Sequence, residues 1–360
     1  MVQDPPASLS QPPAAAAAEP HTGFDTLPAS SAALFGAAGD PFSTIAWYRH
    51  LASSVLSEHG ALRIETAHTG ASTLVMPLFV QRANRRVLRS AANFYTSLYA
   101  PPHSGDPAPA ALAWARKAKA ARWAKVELAP MDADAPLYGA LADGLRQAGF
   151  ITQRYFCFGN WYLPVAGRSY DAYAAALPSR LRHTLARKSR QLAAMPGFRI
   201  EILRSIDDVP RAVQAIHRVY GASWKDPEPY PSFMPGLVRL LAERGALRMG
   251  VAYLGNAPAA FQLWIVEGGV ASIYKLAYDE AHARLSIGSV LTAALMRHAI
   301  DIDQVREVDY LTGDEPYKQD WMSHRRERWG LAAFNPATLQ GLYGAVRHVL
   351  GRRLKRLLRS

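Results

Sequence analysis

The alternation of hydrophobic and polar positions in the second half of the chain predicts a regular series of elements. Apolar side chains recur at every second residue in some stretches, as in half-buried strands, and at every third or fourth in others, as in helices. In chain order, the pattern predicts strand 198–203, helix 207–224, helix 233–243, strands 247–253, 261–265 and 270–278, helix 290–300 and strand 307–311. Short glycine turns join the three consecutive strands, which indicates an antiparallel meander.

The first half, over residues 39–165, also alternates helical and extended patterns. The predicted elements are a helix near 47–55, strands 62–66 and 73–80, helix 110–120, strand 124–128, helix 136–148 and strand 152–162. No glycine-rich turn enters a helix here, so this half shows no phosphate-binding loop. We expect an α/β (α+β) protein with two halves, each a mixed, largely antiparallel sheet flanked by helices.

Two further segments lie outside these halves. Residues 1–38 are rich in Pro and Ala without an apolar period, and we expect a disordered tail. Residues 337–360 repeat Leu and Val at helical spacing with basic residues between them, which predicts a basic amphipathic helix. Such a helix can lie on an anionic membrane surface or pack its apolar stripe on the protein, and both remain open. The predicted domains are therefore 39–165 and 166–336.

The formal charge of +12 has a local origin. Residues 172–200 and 337–360 each carry six Lys or Arg and no acid, and the 29 basic residues that remain match 29 acidic ones. This distribution does not indicate a DNA-binding face. The helix predicted to begin at Ser179, as its N-cap, holds most of the first basic segment. It is either a solvated surface or a site for an acidic ligand.

Several function classes are not favoured. Cys157 is the only cysteine of the sequence, so neither an internal disulfide nor a thiolate cluster can form, and the histidines lack metal-ligand spacing. We expect no metal. No apolar run reaches the ~18 residues of a spanning helix, and the N-terminus does not resemble a signal peptide. We expect a cytoplasmic protein, peripheral at the inner membrane face if the C-terminal helix binds lipid.

A turn of small residues precedes the helix predicted at 290–300. The candidates for binding a phosphorylated donor are Arg284, Ser286, Ile287, Gly288 and Ser289. Small side chains at a helix N-terminus let phosphates approach unpaired N–H groups, and the helix dipole favours anions there. The alternative is a simple helix cap.

This turn, the element order and the segment Gly313-Asp314-Glu315-Pro316-Tyr317-Lys318 together resemble the GNAT acyltransferases. The resemblance is closer to those of cellulose and other exopolysaccharide biosynthesis clusters. It covers residues 159–336 and includes Gly159-Asn160-Trp161-Tyr162, Tyr274-Lys275-Leu276-Ala277-Tyr278-Asp279 and Trp321. In GNAT proteins the turn binds the coenzyme A pyrophosphate through Q/R-x-x-G-x-G/A. Here the first position is Ala283 and the middle glycine is Ser286.

The first half resembles a degenerate copy of the same fold. The paired arrangement is similar to the Fem aminoacyl transferases, whose donor is aminoacyl-tRNA. The resemblance to GNAT proteins implies direct attack of an amine on a thioester, which requires a base, oxyanion stabilisation and an acid.

The candidate bases are Asp309, Asp314 and Glu315, although either of the last two could instead cap a helix at Pro316. Tyr317 is the candidate acid for the departing thiolate, with packing as its alternative.

The remaining candidates would bind substrate. Lys275 either extends to solvent or reaches an anionic ligand, because it lies on an otherwise apolar strand face. Lys318 could hold a phosphate or carboxylate, and Trp321 belongs to the same segment.

The leading hypothesis is an acyltransferase that moves an acetyl group from acetyl-CoA, or another acyl group from its CoA thioester, to an amine or hydroxyl. The acceptor would be small or a sugar, in exopolysaccharide biosynthesis. Two alternatives stay open: an aminoacyl-tRNA-dependent transferase and a non-catalytic scaffold with the GNAT fold.

Overall fold

The structure is a computed structural model that describes residues 20–37 and 39–357, with side chains up to residue 348. Within this part of the chain, twelve strands form one sheet. They are β1 (Gly60–Thr69), β2 (Ser72–Gln81), β3 (Val87–Ser90), β4 (His103–Ser104), β5 (Lys125–Asp132), β6 (Ile151–Pro164), β7 (Arg199–Leu203), β8 (Leu247–Leu254), β9 (Ala257–Glu267), β10 (Val270–Tyr278), β11 (Glu307–Asp309) and β12 (His324–Phe334).

Helices cover both faces of the sheet. They are α1 (Ala29–Ala32), α2 (Ile45–Leu51), α3 (Ser57–His59), α4 (Pro107–Ala120), α5 (Pro136–Gln147), α6 (Tyr170–Ala176), α7 (Ser179–Ala193), α8 (Val209–Gly221), α9 (Phe233–Glu243), α10 (Ile287–Arg297) and α11 (Leu339–Leu357). Short 3-10 turns occur at Phe24–Thr26, Pro41–Ser43, Ile206–Asp208, Glu280–Leu285 and Pro316–Asp320, and π-helical turns at Ala52–Leu56 and His298–Ile302. None of the described helices combines the length and hydropathy needed to cross a bilayer.

The sheet is largely antiparallel and follows the order β1-β2-β3-β5-β12-β6-β11-β10-β9-β8-β7, with β4 beside β2. Each half contains an antiparallel run that ends in one parallel pair, β3 with β5 in the first half and β10 with β11 in the second. The predicted mixed sheet flanked by helices is therefore confirmed.

The two halves of the sheet exchange a strand. β6 is the last strand of the first half in sequence but pairs with β11 of the second half, and β12 is the last strand of the second half but pairs with β5 of the first. β6 and β12 also pair with each other along most of their length. The boundary that we expected near residue 165 therefore falls within a shared sheet, because each half is completed by a strand from the other.

Three large hydrophobic cores of the described residues hold the layers together, and a small fourth cluster lies under α11. In the first half, α4 and α5 pack on one face of the sheet around Trp114, whose indole N–H donates to the buried Glu65 carboxylate at 2.7 Å. In the second half, α8 and α9 cover one face together with α2, and α6, α7 and α10 cover the other. The core that includes α2, α8 and α9 joins the two halves, since it contains side chains from both.

Part of the segment expected to be disordered is folded. Residues 20–37 contain a 3-10 turn and α1, and His21 forms a β-bridge with Ile64. Phe24 and Leu27 are buried in the core that joins the halves, and Phe24 stacks on Tyr48. The prediction of disorder is corrected for these residues, because sparse apolar side chains without a period still fill a groove on the core. Residues 1–19 and 38 lie outside the described chain.

Candidate active site

A cleft opens where β10 and β11 part. These parallel strands pair from Val270 with Glu307 to Ser272 with Asp309, and pairing stops beyond this point. β10 also carries a bulge against β9 between Ile273 and Lys275. A cavity of about 340 Å³ lies here, lined by residues of segments 94–97, 224–225, 273–276, 310–312 and 315–318. The end of strand pairing thus leaves backbone groups of β10 facing a space large enough for a ligand.

The predicted donor-binding turn is the N-terminus of α10. Ser286 adopts a left-handed conformation with φ of 52°, and its carbonyl accepts from the N–H groups of Ser289 and Val290. Among the described contacts, the N–H groups of Ile287 and Gly288 have no backbone acceptor. A Cβ on Gly288 would lie 3.4 Å from the ring of Tyr278, so the fold alone would accommodate a methyl group. The turn therefore presents free donors at the positive end of a helix.

The basic helix α7 lies beside this turn. It begins with Ser179 as its first helical residue, after Pro178 in the N-cap position, and packs against α10. The ammonium of Lys188 donates to the carbonyl of Arg284, which fixes α7 next to the 3-10 turn that leads into Ser286. The exposed arginines of α7 are Arg180, Arg182, Arg187 and Arg190. Positive charge is thus concentrated within reach of the turn, as a polyphosphate ligand would require.

Lys275 is held inside the cleft by an ion pair with Glu228. The Tyr95 hydroxyl donates to the same carboxylate at 2.6 Å, and the Lys275 ammonium lies 5.4 Å from the ring centre of Tyr220. Burial acts to raise the pKa of Glu228, but hydrogen bonds from Lys275 and Tyr95 outweigh it and hold the pKa below its usual value. Lys275 therefore reaches an anionic partner, and the partner is a protein carboxylate.

Lys225 was not among the predicted residues, although it lines the cleft. Burial, followed by the charge of Lys275, lowers its pKa to about 8. Its ammonium also lies 5.7 Å from the ring centre of Trp224. A lysine in this state exists partly as the free amine near neutral pH, so it can accept a proton. No sequence pattern marks it, because it lies in an irregular loop after α8.

Lys318 organises the loop that closes the other side of the cleft. Its side chain is only 5% exposed, and its ammonium donates to the carbonyls of Thr312 at 2.6 Å and Gly313 at 3.3 Å. It also pairs with Glu315 at 2.8 Å. Burial acts to raise the pKa of Glu315, but Lys318 outweighs it and lowers the pKa. Lys318 thus lines the cleft, and its ammonium contacts the protein acceptors Thr312, Gly313 and Glu315.

Tyr317 also lines the cleft, next to the loop fixed by Lys318. Its ring meets that of Tyr310 edge to face, with centres 5.8 Å apart. Burial, followed by the charge of Glu315, raises the pKa of Tyr317 to about 12. The phenol is therefore protonated throughout the neutral range and can donate a proton but not accept one. The alternative of packing beside Trp321 is replaced by packing on Tyr310.

Two of the three predicted carboxylates do not open onto the cleft. Asp309 is buried, accepts from the N–H of Leu311 at 2.6 Å and pairs with Arg326, beside a second, polar cavity of about 270 Å³. Asp314 lies at the surface, where Arg325 binds both of its oxygens and the Trp161 indole donates to it at 2.8 Å. These contacts, Arg325 first, lower its pKa. Of the three alternative base candidates, only Glu315 therefore lines the cleft, because arginine pairing holds Asp309 and Asp314 elsewhere.

Trp321 is also outside the cleft. It is 5% exposed and belongs to the core beneath α6 and α10, and its carbonyl accepts from the Tyr173 hydroxyl at 2.9 Å. The expected substrate contact is corrected to a packing role. Two cleft residues were not predicted from the sequence, Tyr95 of the first half and Lys225. Glu228, which accepts from the Tyr95 hydroxyl, was not predicted either.

The segment that forms the cleft resembles a known protein family. Residues 179–319 match the acetyltransferase (GNAT) domain family. The matched segment includes the parting strands, the α10 turn and the loop of Lys318. The resemblance to GNAT proteins is thus confirmed for this part, whereas no comparison supports the exopolysaccharide subgroup. No curated protein matches the chain in sequence.

Solved structures show the same fold over more of the chain. FemX is similar with a TM-score of 0.60 and 10% identity, over 86% of this chain and 96% of that one. L-PGS from Bacillus licheniformis is similar with a TM-score of 0.50 and 12% identity, over 88% of this chain and 97% of that one. A third similar structure is a C-terminal DUF2156 domain from Agrobacterium fabrum, named for lysylphosphatidylglycerol synthetase. Its TM-score is 0.52 at 12% identity, over 84% of this chain and 96% of that one. At these identities the likeness concerns the fold alone.

Proposed function

We propose that the protein transfers an acyl group from an acyl-CoA donor to an amine or hydroxyl at the cleft between β10 and β11. The observation that carries this proposal is the adjacency of two features. Beyond Ser272, β10 has no strand partner on the side of the cleft, and the α10 turn presents the free N–H groups of Ile287 and Gly288. The turn is linked to the cleft through the ring of Tyr278, which faces Gly288 and packs on Trp224 of the cleft wall. The first suits a thioester carbonyl and the second suits a pyrophosphate.

Donor binding would begin at the turn. Phosphate oxygens would accept from Ile287 and Gly288, and the arginines of α7 would add charge attraction. Gly288 supports this role, because the fold itself does not require a glycine there. Ser286 and Ser289 could add hydroxyl donors, and Arg284 is exposed beside them.

The reacting thioester would then lie along β10 beyond Ser272. Attack of the acceptor amine on the carbonyl forms a tetrahedral oxyanion, which unpaired N–H groups of this strand edge would stabilise. Collapse of this intermediate breaks the carbon–sulfur bond. The products are an amide, or an ester from a hydroxyl acceptor, and a thiol.

Side chains that line the cleft would carry out the proton transfers. The free amine of Lys225 would take the proton of the attacking nitrogen, and Glu315 is the one predicted carboxylate that lines the cleft and could act through water. Tyr317 would give its proton to the departing thiolate. The proton taken up by Lys225 would return to the phenolate through solvent, which restores both groups.

The acceptor would enter from the side of the first half. Segment 94–97 contributes Phe94 and Tyr95 to the cleft wall, and Phe94 is 62% exposed. An exposed aromatic ring at the mouth suits a sugar or another flat apolar face. We accordingly retain a small or sugar acceptor, in exopolysaccharide biosynthesis, as the working proposal, with acetyl-CoA as the first donor to be tested.

Calorimetry with acetyl-CoA and coenzyme A tests the donor. We expect saturable binding by the wild type and its loss in Gly288→Glu, because a carboxylate would repel the pyrophosphate. Gly139→Glu is the matched control, since Gly139 is exposed in α5 with open space around it and adds the same charge elsewhere. Failure of the wild type to bind either compound would refute the proposal, and so would equal binding by Gly288→Glu.

The second candidate is an aminoacyl-tRNA donor, which the arginines of α7 beside the turn favour. A tRNA would contact several of them, so binding would fall steeply as salt rises. Titration of labelled tRNA over a range of salt concentrations distinguishes the two donors. Replacing Arg182 and Arg187 with Ser should weaken tRNA binding strongly and acetyl-CoA binding only slightly.

A further inference from the structure

The described part of α11 turns its large apolar side chains toward solvent. Leu339, Leu342, Tyr343 and Val346 occupy positions i, i+3, i+4 and i+7 and therefore share one face of the helix. All four are exposed, from 44% for Leu342 to 90% for Leu339. A stripe of this kind in a soluble domain normally packs on a core, so its exposure marks an interaction surface.

The opposite face of α11 attaches the helix to the protein through small residues. A Cβ on Gly341 would lie 2.2 Å from the carbonyl oxygen of Asn335, and one on Gly344 would lie 2.9 Å from the ring of Phe334. Ala345 is buried in the same contact. The helix is thus held close to β12 without its large apolar side chains. Of the two alternatives left open by the sequence, packing of this stripe on the protein does not occur over residues 339–346.

Basic residues lie beside the start of α11. Gln340 hydrogen-bonds to Asn84 at 3.3 Å, which places the turn between β2 and β3 beside the start of α11. The exposed arginines next to the helix are Arg82, Arg85 and Arg86 in that turn and Arg122, which donates to the carbonyl of Ala337. The sequence 337–360 itself contains six Lys or Arg and no acid. An exposed apolar stripe therefore lies beside a group of exposed arginines at the start of α11, in a segment whose sequence is strongly basic.

We propose that α11 and the turn at residues 82–86 form a docking surface for an anionic lipid bilayer. The apolar stripe would enter the interface between headgroups and acyl chains, and the arginines would contact the anionic headgroups. A second copy of the chain is disfavoured as the occupant, because the basic residues of the two copies would repel each other. The surface lies outside the cleft, so this proposal does not depend on the reaction.

Vesicle flotation with the full chain tests the proposal. We expect binding to vesicles of equal parts phosphatidylcholine and phosphatidylglycerol, weakening as salt rises, and little binding to phosphatidylcholine alone. The triple variant Leu342→Gln, Tyr343→Gln, Val346→Gln should bind at least about tenfold more weakly, since it removes most of the buried apolar area. Replacing Arg82, Arg85 and Arg86 with Ser should also cost about tenfold or more and flatten the salt dependence.

Matched controls separate a specific surface from general stickiness. Ile206 and Ile302 are exposed to 44% and 64% but lie outside α11, so Ile206→Gln and Ile302→Gln should bind vesicles like the wild type. Circular dichroism and thermal unfolding check that each variant remains folded. Equal binding to neutral and anionic vesicles would overturn the proposal, and so would undiminished binding by the triple variant. A concentration-dependent dimer that the triple variant abolishes, without vesicle binding, would assign the surface to a second copy instead.

Discussion

The charge of Lys225 should destabilise the folded protein at neutral pH. Burial and the neighbouring charge of Lys275 lower the pKa of Lys225 from 10.5 to about 8, and Glu228 compensates only in part. The folded state therefore binds this proton more weakly than the unfolded state does. Below pH 8 both states carry the proton, and the folded state bears the full cost. As pH rises from 8 to 10.5 the cost disappears, because the folded state has already released the proton.

The size of the effect follows from the pKa difference. A pKa difference of one unit between the folded and unfolded states corresponds to about 1.4 kcal/mol. The lowered pKa of Lys225 therefore reduces the free energy of unfolding by roughly 3 kcal/mol below pH 8. Replacing Lys225 with Met removes the charge and keeps much of the apolar stem. We expect Lys225→Met to raise the free energy of unfolding at pH 7 by up to roughly 3 kcal/mol. The gain is reduced by the free energy of the lost contact between the ammonium and Trp224. The gain should be lost above pH 10.5.

Urea unfolding monitored by tryptophan fluorescence at pH 7 and near pH 10.5 measures this difference. Arg218→Met is the control, because Arg218 is an exposed cation on α8 whose removal should change the free energy by less than about 0.5 kcal/mol. A direct check is NMR titration of the lysines after reductive ¹³C-methylation, in which Lys225 should titrate near pH 8. A Lys225→Met variant that is no more stable than wild type at pH 7, with a Lys225 midpoint above 10, would refute the reasoning.

Two further predictions concern the carboxylates and the proposed acid. Arg326→Met should lower the free energy of unfolding by about 3–5 kcal/mol, because it leaves the buried Asp309 unpaired. Arg325→Met, at the exposed Asp314, should lower it by less than about 1 kcal/mol, and equal effects of the two variants in urea unfolding would contradict this assignment. Tyr317→Phe should retain coenzyme A binding but slow acyl transfer about 100-fold or more; an unchanged rate with an active acceptor would favour the scaffold alternative.

The second half of the fold was predictable because its pattern is local. Alternation over residues 247–278 fixed three strands, and glycine turns fixed their order, so the meander and the following helix appear where the sequence predicted them. The sequence left two alternatives for Lys275, extension to solvent or contact with an anionic ligand. Its partner was not predicted, because Glu228 lies in a proline-containing loop without a period. Periodicity predicts the elements themselves, but not which loop residues meet them in space.

The exchange of strands and the contents of the cleft depend on long-range pairing. β12 begins with His324 and four charged residues through Arg328, which hides its extended structure, and nothing local to it indicates pairing with β5. The position of Tyr95 in the cleft also depends on long-range contacts, because Tyr95 belongs to the first half of the chain. Alternation places Asp309 on the side of Glu307, but the pairing of both carboxylates with Arg326 of β12 is again a long-range contact.

The exchanged strands also constrain how the chain can fold during synthesis. The first half of the sheet needs β12 beside β5, yet β12 is translated only after the whole second half. Until then β5 would present an open edge on the ribosome, and β6 would lack its longest partner. Completion of the sheet must therefore wait for late, distant contacts, which predicts slow folding and an interval in which nascent chains depend on protection from pairing with one another.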